Sequence, residues 1–193
     1  MTNNKLIVCD VDGVILNFSR GMKEHVWKNY DIYLSEDPMD WGWDCKEIGT
    51  YLKSMWASDD FSRLKVYPNT LWEVLMASHK VDADLMFLTD VPEYAFANRR
   101  RNLSSLGLTN FQIERASNKA AKIERLLSEY DAVMLIDDKT ENVLDALKLQ
   151  RVTVAYPVRG HNWNALRNTG AIPYNGATEL YNIIKKWGGN AQS

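Results

Sequence analysis

The chain has 193 residues, 46% of them hydrophobic and 25% charged, and its 23 Lys and Arg against 25 Asp and Glu leave a net charge of −2. This is the composition of a globular chain, not a disordered or fibrous one, and its length suffices for a core that needs neither disulfides nor a structural metal. The near-neutral balance argues against a partner held by bulk charge, so no polymeric nucleic acid is expected.

The opening Met1-Thr2-Asn3-Asn4-Lys5 is polar, and the apolar run after it ends at an aspartate, too short for a signal peptide or a membrane span. Cys9 and Cys45 stand in unrelated contexts without CxxC spacing, which fits a reducing compartment. A cytoplasmic protein without membrane association is the expectation. Leu6-Ile7-Val8-Cys9 is a short, continuously apolar run of the kind buried on both faces of a parallel sheet.

The next 50 residues or so, 18–67, break this pattern. They contain no buried-strand run but hold ten of the 21 aromatic residues, Trp27, Tyr30, Trp41, Trp43 and Trp56 among them. They read as a small, mainly helical cap with a loop over 35–44, inserted after the first strand and set over the carboxyl edge of the sheet. Residues 1–17 and 68–193 then form the core domain. An aromatic-rich cap serves equally as a small satellite core and as a wall for a flat ligand.

Further along, Leu71, Trp72, Leu75 and Met76 mark a helix, and Leu85-Met86-Phe87-Leu88 a second strand. Pro92 starts a helix carrying Phe96, Leu103 and Leu106, with Gly107 as its stop. Phe111-Gln112-Ile113 is a weaker strand candidate, followed by a helix with Ala120, Ile123, Leu126 and Leu127. Ala132-Val133-Met134-Leu135-Ile136, a helix through Val143, Leu144 and Leu147, and Val152-Thr153-Val154-Ala155 continue the alternation. A last helix with Leu180, Ile183, Ile184 and Trp187 is closed by Gly188-Gly189. The fold class is α/β, a Rossmann-like, doubly wound parallel sheet with a small helical cap.

Three strand ends carry polar chemistry. The first runs into Asp10-Val11-Asp12-Gly13-Val14, two carboxylates two residues apart with a glycine for a sharp exit. Two close carboxylates stay ionised together only if a cation or hydrogen-bond donors compensate them, and a hard ion such as Mg²⁺ is the natural partner. The second strand ends in Leu88-Thr89-Asp90, placing a hydroxyl for a phosphoryl oxygen, and another ends in Ile136-Asp137-Asp138. In a parallel sheet all of these meet at one edge. Lys119, at a helix start on that edge, is the preferred counter-cation, with Lys122 one turn on as the alternative. Arg99-Arg100-Arg101 reads as a solvated helix face, and His25, His79 and His161 fall in no ligand or triad spacing. The segment Gly160-His161-Asn162-Trp163-Asn164 borders the same edge.

Taken in order, Asp10-x-Asp12-Gly13, Thr89, Lys119 and Asp137-Asp138 resemble the four motifs of the haloacid dehalogenase-like superfamily over nearly the whole chain. The resemblance implies Asp10 as the nucleophile that forms an aspartyl-phosphate, and Asp12 as general acid/base with its backbone carbonyl on Mg²⁺. The aspartate at position 12 disfavours the dehalogenase branch. The resemblance further implies Thr89, with Asp90 and Lys119, as the phosphate seat. Asp138 is then the direct metal ligand and Asp137 one acting through water or by orientation, so that Asp10, Asp12, Asp137 and Asp138 form the metal set. Within the superfamily the short cap, Thr89-x-x-Pro92 and Ile136-Asp137-Asp138 look like the 5'(3')-deoxyribonucleotidase branch. That implies a Mg²⁺-dependent phosphomonoesterase for a small phosphometabolite, a nucleoside monophosphate first, with Trp41 and Trp43 against the base. A sugar-phosphate phosphatase, a phosphotransferase or mutase, and a non-catalytic binding module are the competing readings.

Overall fold

A computed structural model describes residues 4–34 and 46–190. The apolar runs become strands β1 (Lys5–Cys9), β2 (Asp84–Thr89), β3 (Gln112–Arg115), β4 (Ala132–Ile136), β5 (Val152–Pro157) and β6 (Ile172–Tyr174). Among the described residues they form one six-stranded, all-parallel sheet in the order β3-β2-β1-β4-β5-β6. The helices are α1 (Phe18–Tyr30), α2 (Lys46–Ala57), α3 (Thr70–Lys80), α4 (Glu93–Ser105), α5 (Lys119–Leu126), α6 (Thr140–Ala146), α7 (Gly160–Leu166) and α8 (Ala177–Asn190), with a 3₁₀ helix at Asp59–Arg63. This is the doubly wound α/β fold that the alternating pattern predicts.

Side chains of successive strand residues point to opposite faces, which is why the central runs are apolar throughout. Ile7, Cys9, Phe87, Met134 and Ile136 pack with Val74 of α3, Leu103 of α4 and Leu180 and Ile184 of α8. Leu6, Val8, Met86 and Leu135 pack on the other side with Ile123 of α5, Val143 of α6 and Leu166 of α7. Right-handed crossovers require this division, because the chain winds outward from β1 to β3 and then returns to build β4 to β6 on the other flank.

The winding direction reverses between β1 and β4, and the crevice at their carboxyl ends is where such sheets bind ligands. Cys9 pairs with Phe87 of β2 on one side and Ile136 of β4 on the other, so Asp10 emerges between both neighbours. The ladder runs one step further, with Asp10 N–H donating to the Ile136 carbonyl at 2.8 Å and Asp137 N–H to the Ala155 carbonyl at 3.2 Å.

The chain departs for α1 through residues 15–17 and returns through 65–67. These two segments are tied by Asn17 N–H to the Lys65 carbonyl and Tyr67 N–H to the Ile15 carbonyl, both at 2.8 Å. Between them Met22, Val26, Ile48, Met55, Phe61 and Leu64 are buried in the same apolar cluster as one face of the sheet. The loop over 35–44, and Trp41 and Trp43 with it, lies outside the described residues.

Two local expectations are corrected, and one strand has no counterpart among them. The weak third strand lies slightly later, over Gln112–Arg115. β6 carries no apolar run to announce it, since it has three residues around Pro173, which an edge strand tolerates because the missing N–H costs no central ladder bond. Gly188 and Gly189 do not stop α8, which runs on to Asn190. A Cβ at Gly188 would lie 2.3 Å from Val81 Cβ, so that glycine lets α8 touch the end of α3, and its carbonyl accepts the Lys5 ammonium at 2.7 Å. No helix among the described residues is long and apolar enough to cross a membrane.

Candidate active site

The carboxyl ends of β1, β2 and β4 deliver Asp10, Thr89 and Asp137 to one crevice, and the turn after β1 shapes it. Leu16 N–H and Ile15 N–H both return to the Val11 carbonyl, at 2.8 and 3.0 Å, while Val11, Val14, Ile15 and Leu16 are buried. Gly13 has φ +83°, and a Cβ there would lie 2.0 Å from Asp138 Oδ2. Only glycine accepts that backbone with a carboxylate pressed against it.

Lys119 is the first residue of α5, whose N-cap Asn118 accepts Ala121 N–H at 2.9 Å. Its ammonium is 1% exposed and bridges two carboxylates, donating to Asp10 Oδ1 and, at 2.7 Å, to Asp137 Oδ2. Lys122, one turn on, pairs instead with Glu114 at 2.6 Å. Both oxygens of the fully buried Asp137 are taken. Oδ1 accepts Lys139 N–H at 2.9 Å, and the amide of Asn142 donates to Oδ1 and Oδ2 at 3.2 and 3.1 Å. Asn142 went unnoticed in the sequence; its signal is an amide in the first turn of the helix that follows the acidic pair.

Asp12 faces Thr89, whose hydroxyl donates to Asp12 Oδ2 at 3.4 Å. Its other oxygen pairs with Arg99. The expected solvated arginine face is thus wrong for Arg99, which is fully buried although its neighbours Arg100 and Arg101 are exposed. Asp90 stands at the rim, accepting the Lys139 ammonium at 3.1 Å. His161 lines the cleft, its Nε2 3.6 Å from Asp138 Oδ2, and Asn162 donates to the Asp138 carbonyl at 2.9 Å, so α7 does border the site. His25 is a buried packing residue between Asp60 and Ser54, and His79 lies exposed on α3. Of the aromatics, Phe18 lines the cleft, Trp56 packs against the core, and Trp27 is 65% exposed.

Burial pushes the Asp10 carboxyl well above the usual carboxylate range, with Lys119 opposing the rise and Asp137, Asp138 and Asp12 adding to it. Burial likewise raises Asp12, against the pull of Arg99, Lys119 and the Thr89 hydroxyl. Burial and the adjacent Asp137 push Asp138 up to about 7. Burial works against the charge on Lys119, yet Asp10 and Asp137 hold its ammonium above the ordinary lysine range. Lys119 and Arg99 oppose part of this negative charge. One oxygen each of Asp10, Asp137 and Asp138 lies within 4.8 Å of the others, an all-oxygen anionic set that fits a hard divalent cation.

No protein-family model and no curated protein matches the sequence. Solved structures do. A HAD family hydrolase from Deinococcus radiodurans R1, with bound phosphate and sodium, superposes with a TM-score of 0.66 at 12% identity, over 97% of this chain and 98% of its own. A candidate β-phosphoglucomutase from Thermotoga maritima gives 0.64 at 18% identity over 94% and 99%. A haloacid dehalogenase-like family hydrolase from Xanthomonas campestris gives 0.61 at 14% over 100% and 99%. At these identities the likeness establishes the architecture alone: the described residues share the α/β fold of these hydrolases.

Proposed function

We propose that this chain is a Mg²⁺-dependent phosphomonoesterase that works through an aspartyl-phosphate. The observation that carries the reading is the Lys119 bridge between Asp10 and Asp137 at the topological switch point, beside the facing pair Asp12 and Thr89. Asp10 Oδ1 is held by Lys119, which leaves the second oxygen to attack phosphorus. The Thr89 hydroxyl and Lys119 seat the phosphoryl oxygens, with Asp90 at the rim neutralised by Lys139. As the Asp10 oxygen bonds to phosphorus the ester P–O bond breaks, and Asp12 gives its proton to the departing oxygen. Water then attacks phosphorus, Asp12 takes the water's proton, and phosphate leaves with Asp10 restored. Asp10, Asp138 and the Asp12 carbonyl would hold the ion, with the fully engaged Asp137 orienting them; when bound it supplies positive charge against the phosphoryl oxygens.

The leaving group we assign is a nucleoside. Support comes from Phe18 on the cleft wall and from the aromatic content of the inserted segment, Trp41 and Trp43 included, since a base stacked on such a ring gains ~1–3 kcal/mol. The Thermotoga maritima neighbour favours a second reading, in which a sugar hydroxyl replaces water as the acceptor from the same intermediate.

Phosphate release from a panel of phosphorylated metabolites tests these statements in turn. Activity should vanish in EDTA and return with Mg²⁺, and Asp10→Asn should fall below about a hundredth of wild type while remaining folded. Full turnover in excess EDTA, or by Asp10→Asn, overturns the phosphomonoesterase. A higher kcat/KM for hexose or triose phosphates than for nucleoside monophosphates overturns only the nucleoside, and transfer of the trapped phosphoryl group to a sugar establishes the second reading.

A further inference from the structure

The middle of α4 faces the inserted segment with three polar side chains from two successive turns. Asn98 donates to the Trp56 carbonyl at 3.3 Å and Asn102 to the Leu64 carbonyl at 3.2 Å. Between them lies Arg99, the largest of the fully buried side chains among the described residues. Its guanidinium carbon stands 3.9 Å from the centre of the Phe61 ring on the 3₁₀ helix, its Nη1 donates to Asn102 Oδ1 at 2.9 Å, and its Nη2 donates to Asp12 Oδ1.

Stability is a poor explanation for an arginine here. A desolvated charge is costly, and apolar residues of similar volume often replace buried ion pairs at no loss. Arg99 Nε moreover has no hydrogen-bond partner, so the guanidinium is not placed for maximal satisfaction. What an arginine offers and an apolar side chain cannot is a planar, charged fork of fixed direction. The Phe61 ring lies against that fork and Asn102 Oδ1 accepts from its Nη1. One oxygen of Asp12 is thereby clamped, and the other is turned to the Thr89 hydroxyl at 3.4 Å.

We propose that Arg99 is a positioning residue for Asp12, clamping Oδ1 so that Oδ2 faces the phosphoryl seat and serves as the proton-carrying oxygen; this rests on the phosphomonoesterase reading. In the first half-reaction the Asp10–phosphorus bond forms, the ester bond breaks, and the proton on Oδ2 passes to the leaving oxygen. In the second the water oxygen bonds to phosphorus, the Asp10–phosphorus bond breaks, and the water's proton returns to Oδ2. An alkyl ester needs Oδ2 in both halves. An aryl ester such as p-nitrophenyl phosphate, whose leaving group is stable as an anion, needs it only in the second.

This asymmetry separates positioning from mere support of the fold. Arg99→Gln, Arg99→Lys and Asn102→Ala are compared with wild type by rapid quench on p-nitrophenyl phosphate and on the best alkyl phosphate of the panel. Arg99→Gln should lower kcat on the alkyl ester about 100-fold, the scale of lost acid–base catalysis, with KM within about threefold. On p-nitrophenyl phosphate it should release one equivalent of nitrophenolate in a burst before slow turnover. Arg99→Lys should recover part of the loss, and Asn102→Ala should show the same split at smaller size. Unchanged turnover, or equal losses on both esters without a burst, overturns the proposal. If Arg99→Gln does not fold by circular dichroism, Arg99→Lys and Asn102→Ala decide by the same criteria. A wild type that hydrolyses neither ester removes the phosphomonoesterase reading and this inference together.

Discussion

Asp138 concentrates the electrostatics of the cleft in one side chain. It sits against Gly13, shares its surroundings with Asp137, and is pushed up to about 7 by burial and that neighbour. The folded carboxyl therefore binds its proton more tightly than the unfolded one, whose value is 3.8. Stability from this group is fully present below about pH 4 and is lost as pH rises through about 7. In EDTA the melting temperature of wild type should fall across that window. Asp138→Asn has no such proton to lose, so its advantage over wild type should widen from pH 4 to pH 7, and saturating Mg²⁺ should narrow it by binding the folded state. Parallel curves for the two proteins would refute the assignment. At this scale the acidic motifs stand out in the sequence, because two carboxylates two residues apart at a strand end stay ionised together only with a cation or hydrogen-bond donors beside them. Arg99 does not, because its partner Asp12 is 87 residues away and a run of three arginines on one helix does not say which of them turns inward.

The elements that bring these residues together were legible wherever burial dictates the pattern. The four central strands are apolar on both faces and could be read directly; β3 and β6 lie at the sheet edges, where half-exposed residues and Pro173 erase the signal. The glycines of α8 misled because Gly188 serves a close helix contact, which only the packed structure reveals. The turn after β1 is different again, since a glycine after the acidic pair allows a sharp exit and Gly13 makes one at φ +83°. Gly13→Ala should cost roughly 1–3 kcal/mol for the left-handed backbone alone. The clash with Asp138 adds to this, so in an Asp138→Ala background the same substitution should cost less, a coupling that urea unfolding of the double-mutant cycle measures. Equal costs in both backgrounds would mean that the carboxylate moves aside freely and that Gly13 does not shape the site.

For the molecule as a whole, the sequence suggests an inserted segment over 18–67, because ten of the 21 aromatics fall in about a quarter of the chain, and sets it over the carboxyl edge of the sheet, but it does not say whether the two share a core. A separate cap would bury its apolar residues within itself. Here Met22, Met55 and Phe61 join one cluster with Ile7, Cys9 and Phe87 of the sheet, and Asn98 and Asn102 of α4 bond to carbonyls of the insertion. Local periodicity carries no information on which apolar faces meet across the fold, so this continuity was invisible beforehand. It has a thermodynamic consequence. If the core is shared, insertion and sheet unfold together, and a cavity opened in one is felt by both. Met55, fully buried on α2, is the probe. Met55→Ala should destabilise by about 2–5 kcal/mol, which at this chain length lowers the melting temperature by roughly 4–20 °C. Scanning calorimetry should still record a single transition whose calorimetric and van't Hoff enthalpies agree. A second transition at lower temperature, with the sheet's melting unmoved, would make the insertion an independent unit and dissolve the link from the inserted segment through Phe61 and Arg99 to Asp12.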